Sequence, residues 1–243
     1  MIINLTNKEL RHLPNIIGDL NNLRGLYCNY NQLVNIDSIE HLINLEMLNC
    51  DVNSLTNLPY SIGSLSNLQN LRCNNNQLTS LPESIGNLSG LRELTCSFNK
   101  LTSLPESIGN LSRLQTLYVS FNKLTSLPES IGNLSGLQEL FCNKNQLTSL
   151  PESIGNLSGL RELRCSVNDL TSLPESIGNL SRLRKLYCYD NQLANMPESV
   201  KNSRKNVANE IIKYLKIKKE IKKTLNEQLI IDLDTVSIIM LYY

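Results

Sequence analysis

The chain has 243 residues with 23 Lys and Arg against 22 Asp and Glu, and a net charge of +1 gives no global preference for nucleic acid. Seven cysteines, an odd number, do not suit a complete disulfide framework, so a reducing compartment is expected. No stretch approaches the roughly 18 consecutive apolar residues of a membrane span, and MIINLTNKELRHLPNIIG has neither a basic start nor an unbroken apolar run, so a cytoplasmic protein without signal peptide is expected.

In chain order, a degenerate unit containing IINLTNKEL fills residues 1–22, and a pattern L-x-x-L-x-C-x-x-N-x-L then starts at Leu23, Leu45, Leu68, Leu91, Leu114, Leu137, Leu160 and Leu183. The first spacing is 22 residues and the others are 23. Apolar and variable residues alternate in L-x-x-L-x-C, the period of a short strand. One such unit cannot bury its apolar face, whereas stacked copies share a continuous core. Nine strands about 4.8 Å apart would make a curved parallel sheet roughly 40 Å long.

The second half of the unit, LTSLPESIGNLS, recurs unchanged at 78–89, 101–112, 124–135, 147–158 and 170–181. All eight prolines occupy one position of it, which suits the first residue of a helical turn. Ile154 and Leu157, three residues apart, are predicted to point inward. The glycine of each IG pair either adopts an unusual φ or lets adjacent turns approach. The asparagine column (31, 53, 76, 99, 122, 145, 168, 191) is placed to satisfy turn backbone groups left unpaired by the sheet.

These units resemble the leucine-rich-repeat family over about residues 3–198, with Lys8 departing from the asparagine column. The LPESIGNLS half is similar to the 23-residue subtype of plant intracellular Ras-group-related proteins and of bacterial and viral repeat proteins. The resemblance implies an α/β leucine-rich-repeat solenoid, a horseshoe with a concave parallel β-sheet, short 3-10 or helical convex turns and a helical C-terminal cap. Residues 1–198 would form the solenoid and 199–243 the cap or extension.

Three features invite chemistry and have plainer readings. The cysteines (28, 50, 73, 96, 142, 165, 188) share one inward position, where Val119 is also accepted. A thiol ladder for metal or redox work is therefore set aside for packing. Six N-x-S/T sequons, at Asn4, Asn87, Asn110, Asn133, Asn156 and Asn179, lack a secretory route, and five are one duplicated block. No G-x-S-x-G, phosphate-cradling glycine loop or H-E-x-x-H gathers a reactive centre, so neither an enzyme nor a cofactor is expected.

Variation concentrates in the outward strand columns. The candidate partner-binding residues there are Tyr27, Arg72, Glu93, Tyr118, Glu139, Phe141, Glu162, Arg164, Tyr187 and Tyr189. Aromatics beside Arg match the composition of protein-binding hot spots. Phe98 and Phe121, just before the asparagine, are instead expected to turn into the loop core, as that position does in the family.

After PESV the repeat fails, and VANEIIKYLKIKKEIKKTLNEQLIIDL spaces apolar residues at 207, 211, 214, 215, 221, 225 and 229 as one or two amphipathic helices. Residues 199–243 carry 9 Lys and Arg against 5 Asp and Glu. A cap over the last unit is the leading role, and a basic run at 213–223 meeting an anionic membrane is the weaker one. VSIIMLYY, 236–243, is expected to fold back on the protein or to self-associate. The expected function is a non-enzymatic protein-interaction module, as adaptor, signalling component or effector in a host cytosol. The alternative is a structural component assembling through the solenoid ends and the C-terminal segment.

Overall fold

The computed structural model describes residues 1–194, 196–197, 200 and 203–228, with backbone alone for 225–228. Nine three-residue strands form one parallel sheet in sequence order: β1 Ile2–Asn4, β2 Gly25–Tyr27, β3 Met47–Asn49, β4 Asn70–Arg72, β5 Glu93–Thr95, β6 Thr116–Tyr118, β7 Glu139–Phe141, β8 Glu162–Arg164 and β9 Lys185–Tyr187. The pairing register aligns the middle leucines, Leu48 on Leu71 on Leu94 and onward. Those leucines are fully buried, so the flanking strand residues necessarily face the other way.

The convex walls are 3-10 turns, three residues long at Asp37–Ile39 and five residues long elsewhere, as in Glu106–Asn110, which sends Ile108 and then Leu111 into the core. Proline does not begin these turns as its position suggested. Pro105 stands one residue ahead in extended backbone at φ −67° and ψ 149°, and its carbonyl accepts the first turn bond from Ile108 N–H at 3.0 Å. The ring's fixed φ serves extended backbone equally well. No described glycine has positive φ, so the IG glycines are there for closeness. A Cβ on Gly109 would lie 2.5 Å from the Ser130 carbonyl oxygen of the next turn.

The asparagine column ties successive units together. The Asn122 side-chain amide donates to the carbonyls of Cys96 (3.0 Å), Val119 (3.1 Å) and Ser120 (3.2 Å), while its oxygen accepts from Leu101 N–H at 2.9 Å. Asn31 does the same for the degenerate first unit, accepting from Lys8 and Leu10 N–H, so Lys8 needs no amide of its own. The residue before each asparagine is left-handed, as in Phe98 (φ 56°), Phe121 (φ 55°) and Val167 (φ 56°). Bulky and β-branched residues hold such a φ only where the surroundings impose it.

All seven cysteines are free and buried, and several donate to the next strand's backbone, as Cys142 Sγ does to Arg164 O at 3.4 Å. Burial pushes the thiols of Cys28, Cys142 and Cys188 up to about 12. The thiolate that metal or redox chemistry needs is disfavoured at these positions.

At the other end, the Asn206 side chain and the Val207 backbone, just ahead of the C-terminal helix (Ala208–Gln228), bond to the open edge of β9. Leu186 N–H donates to Asn206 Oδ1 at 2.9 Å, Asn206 Nδ2 donates to Arg184 O at 2.6 Å, and Val207 N–H donates to Leu186 O at 3.1 Å. Val207, Ile211 and Leu215 are buried on the last unit, and Lys218 and Lys222 reach Glu175 at 3.6 and 3.9 Å. The helix caps the solenoid. Lys213, Lys216, Lys219 and Lys223 remain exposed. Leu229 and VSIIMLYY lie outside the described residues.

Two outcomes are expected of this core. Asn122→Ala leaves buried carbonyls and an amide unpaired and should cost about 1–3 kcal/mol in urea denaturation. The Cys142 thiol titrates near 8.5 when unfolded but near 12 when folded. The unfolded chain therefore binds fewer protons between these values, and stability present below that window is lost as pH rises through it. Urea midpoints should fall from pH 8 toward pH 11, and less so in Cys142→Val, whose replacement Val119 already shows to fit the column.

Candidate partner-binding face

Register converts the variable strand positions into rows across the sheet. In the third strand position, Tyr118, Phe141, Arg164 and Tyr187 come from four consecutive strands, β6 to β9. Tyr118 and Phe141 stack with ring centroids 4.2 Å apart and planes 6° from parallel. The Arg164 guanidinium lies 4.3 Å from the Phe141 centroid and 5.3 Å from that of Tyr187. Aromatic pairs contribute about 0.5–1.5 kcal/mol and exposed cation–π contacts about 0.5–1 kcal/mol. The row is thus a packed ladder whose rotamers are restricted before anything binds.

The first strand position supplies the charges that hold it. Glu139 accepts from the Tyr118 hydroxyl. Glu162, only 7% exposed, is gripped by Arg164 at 2.6 Å and Lys185 at 3.0 Å. Farther toward the N-terminus, Arg72 Nε and Nη2 donate to the Glu93 carboxylate at 2.7 and 3.3 Å, and Asn70 adds a bond of 3.0 Å. Tyr27 is half-buried on β2, away from the ladder. Tyr189 turns toward the C-terminal segment, where the Arg204 guanidinium lies 5.7 Å from its ring and 3.6 Å from Asp190.

Phe98 and Phe121 correct the expectation that they enter the core. They stack on each other with centroids 3.9 Å apart, Lys144 Nζ lies 4.4 Å over Phe121, and Phe98 is 47% exposed. Their left-handed φ turns the side chains out of the loop. A second, shorter ladder therefore runs beside the first. Between them a hydrogen-bonded polar row links Asp51, Asn74, Ser97, Ser120 and Asn143, with Asn74 N–H donating to Asp51 at 2.6 Å and Ser120 Oγ to Asn143 at 2.7 Å. Burial raises the Asp51 carboxyl, against the Asn74 bonds that lower it.

Partial burial and the bond to Glu139 both favour the neutral Tyr118 phenol and push its ionisation above the usual 10. Ultraviolet titration of the protein minus that of Tyr118→Phe should show this late ionisation, and Glu139→Gln should bring it down.

Comparison with known proteins agrees with this geometry. Residues 25–117 and 85–229 match the profile of a leucine-rich repeat region. Nothing among curated proteins matches. Among solved structures, a Leptospira interrogans leucine-rich-repeat protein is 33% identical over 82% of this chain and 62% of its own, with a TM-score of 0.61. The ectodomain of the Arabidopsis thaliana receptor kinase GASSHO1/SCHENGEN3, in complex with Casparian strip integrity factor 2, is 32% identical over 76% of this chain and 23% of its own, with a TM-score of 0.70. The functional domain of Listeria monocytogenes InlJ, which includes a cysteine ladder, is 26% identical over 82% of this chain and 46% of its own, with a TM-score of 0.68. The chain spans less than two thirds of each of these proteins. From the repeat profile and from the parallel sheet, 3-10 turns and asparagine column together, the chain belongs to the leucine-rich-repeat family.

Proposed function

We propose that this protein is a non-enzymatic interaction module that recognises a protein segment on its concave face, anchored on Tyr118, Phe141, Arg164 and Tyr187. The preformed ladder across four adjacent strands carries the reading. Three strand spacings make it roughly 14 Å long. Its rings and guanidinium are half-exposed or exposed while their partners restrain them. Side chains already ordered lose less entropy on binding, which is how aromatic and Arg residues become hot spots. The Phe98–Phe121–Lys144 ladder widens the platform. Arg72, Glu93 and Tyr27 extend it toward the N-terminus, and Glu139, Glu162 and Tyr189 frame it.

The GASSHO1/SCHENGEN3 ectodomain, of the same repeat architecture, is itself solved with a partner. In this reading residues 1–198 recognise the partner and 199–243 cap the sheet. No described helix is long and apolar enough to cross a membrane.

The test is affinity purification with mass spectrometry, comparing the unaltered protein with a Tyr118→Ala, Phe141→Ala, Arg164→Ala, Tyr187→Ala variant whose circular dichroism shows it folded. A partner recovered by the first and reduced at least about tenfold by the variant, as hot-spot losses of 2 kcal/mol or more imply, supports the concave face. Equal recovery by both overturns it.

A further inference from the structure

The unchanged twelve-residue block leaves the central units free to differ in eleven positions, and two of these, flanking the first leucine of each strand segment, lie off the concave face. They read Gly90 and Arg92, Arg113 and Gln115, Gly136 and Gln138, Gly159 and Arg161, Arg182 and Arg184. No acid occurs among them. They line the edge of the solenoid where the chain enters the strands, and there Arg92, Arg113, Arg161 and Arg182 surround a groove of about 410 Å³. A second hollow of about 450 Å³ shares Arg92 and Arg113 and prolongs it toward Ser66. All four arginines are exposed, and none makes an ion pair with a described residue.

On the concave face, by contrast, the acidic groups already have hydrogen-bonding or ionic partners. Glu93, Glu139 and Glu162, which directly follow Arg92, Gln138 and Arg161 in the chain, are held by Arg72, by Tyr118, and by Arg164 with Lys185. The four arginines, without described ion-pair partners, give the groove a positive field, and Gly136 and Gly159 are among its lining residues. Guanidinium groups present forked donors that fit carboxylates.

The spacing narrows the ligand. Backbone bonds link Arg92, Gln115, Gln138 and Arg161 as one column on successive units, with each N–H donating to the previous residue's carbonyl at 2.8 Å. Arg92 and Arg161 are thus three strand spacings apart, roughly 14 Å. An extended peptide advances about 3.4 Å per residue and places residues i and i+4 on the same side, roughly 14 Å apart. We infer that this edge is a second recognition site, for an extended acidic peptide segment whose carboxylates at i and i+4 meet Arg92 with Arg113 and Arg161 with Arg182. The amides of Gln115 and Gln138 face the peptide between these two grips. Among the described residues, no aromatic side chain lines the groove to stack a nucleic-acid base, and no apolar side chain lines it to enter a lipid surface.

Fluorescence anisotropy tests this with a short labelled Ser/Gly peptide carrying Asp at i and i+4. The controls are the same peptide with Asn, and one with Asp at i and i+3. The proteins are the unaltered chain, the Arg92→Gln, Arg113→Gln, Arg161→Gln, Arg182→Gln variant, and the four-residue concave-face variant, each checked for fold by circular dichroism. The i and i+4 peptide should bind saturably, weaken with salt, lose at least about tenfold in the edge variant, and bind the concave variant as it binds the unaltered chain. Absence of saturable binding, equal affinity in the edge variant, indifference to carboxylate spacing, or tighter binding of single-stranded RNA or anionic vesicles overturns the proposal. Because the two variants alter separate surfaces, failure here and failure of the concave-face reading are told apart.

Discussion

A primary amide repeated once per unit, buried at Asn76 and Asn168 and partly buried in the other units, governs this molecule. Each asparagine of the column spends its N–H groups on carbonyls of its own unit and the preceding one, and its oxygen on a backbone N–H of the preceding one, as Asn76 does with Cys50, Cys73, Asn74 and Leu55. The chain leaving a strand would otherwise bury backbone groups without partners, at a cost that apolar packing does not offset. With the amide present, the chain can turn sharply out of the sheet and repeat the turn in the next unit. The left-handed residue before each asparagine is held by the same network.

Fixing the turn fixes the register, and register is what gives the variable residues meaning. Tyr118, Phe141, Arg164 and Tyr187 are 23 residues apart along the chain and in contact across the sheet. In a parallel sheet of three-residue strands, a slip of one position would bury these side chains and expose the leucines. The constant core therefore acts as a ruler that converts substitutions in sequence into ladders in space. The thiol column contributes to that ruler through packing and weak bonds to the next strand, and burial at Cys142 disfavours the thiolate.

Closing the stack draws on different chemistry. β9 would end with free backbone groups, and the Asn206 side chain and the Val207 N–H pair with them instead. The helix then covers the last apolar layer with Val207, Ile211 and Leu215. Gly178, whose counterparts make room for the next unit's serine, here meets the Leu215 side chain at 3.6 Å from its would-be Cβ. The same small residue thus serves both propagation and termination of the solenoid.

The repeat period, the inward leucines, the asparagine column and the packing role of the cysteines were legible in the chain itself, because each is a local choice repeated until only one architecture satisfies it. The outward columns that hold Tyr118 and Arg164 were legible for the same reason, since period 2 assigns faces without coordinates. Other features needed the tertiary structure. Which glutamate holds which cation depends on neighbours 21 or 23 residues away, as for Arg72 with Glu93 and Lys185 with Glu162. Whether the IG glycines supply a rare φ or a close approach depends on the turn beside them. The outward swing of Phe98 and Phe121 depends on a backbone sign that residue type does not encode, and the arginine groove depends on a column outside the strand pattern. Sequence alone determined the layers, because burial is a property of each unit. Only the tertiary structure decided the contacts between units, because these are set by register and backbone angle rather than by hydrophobicity.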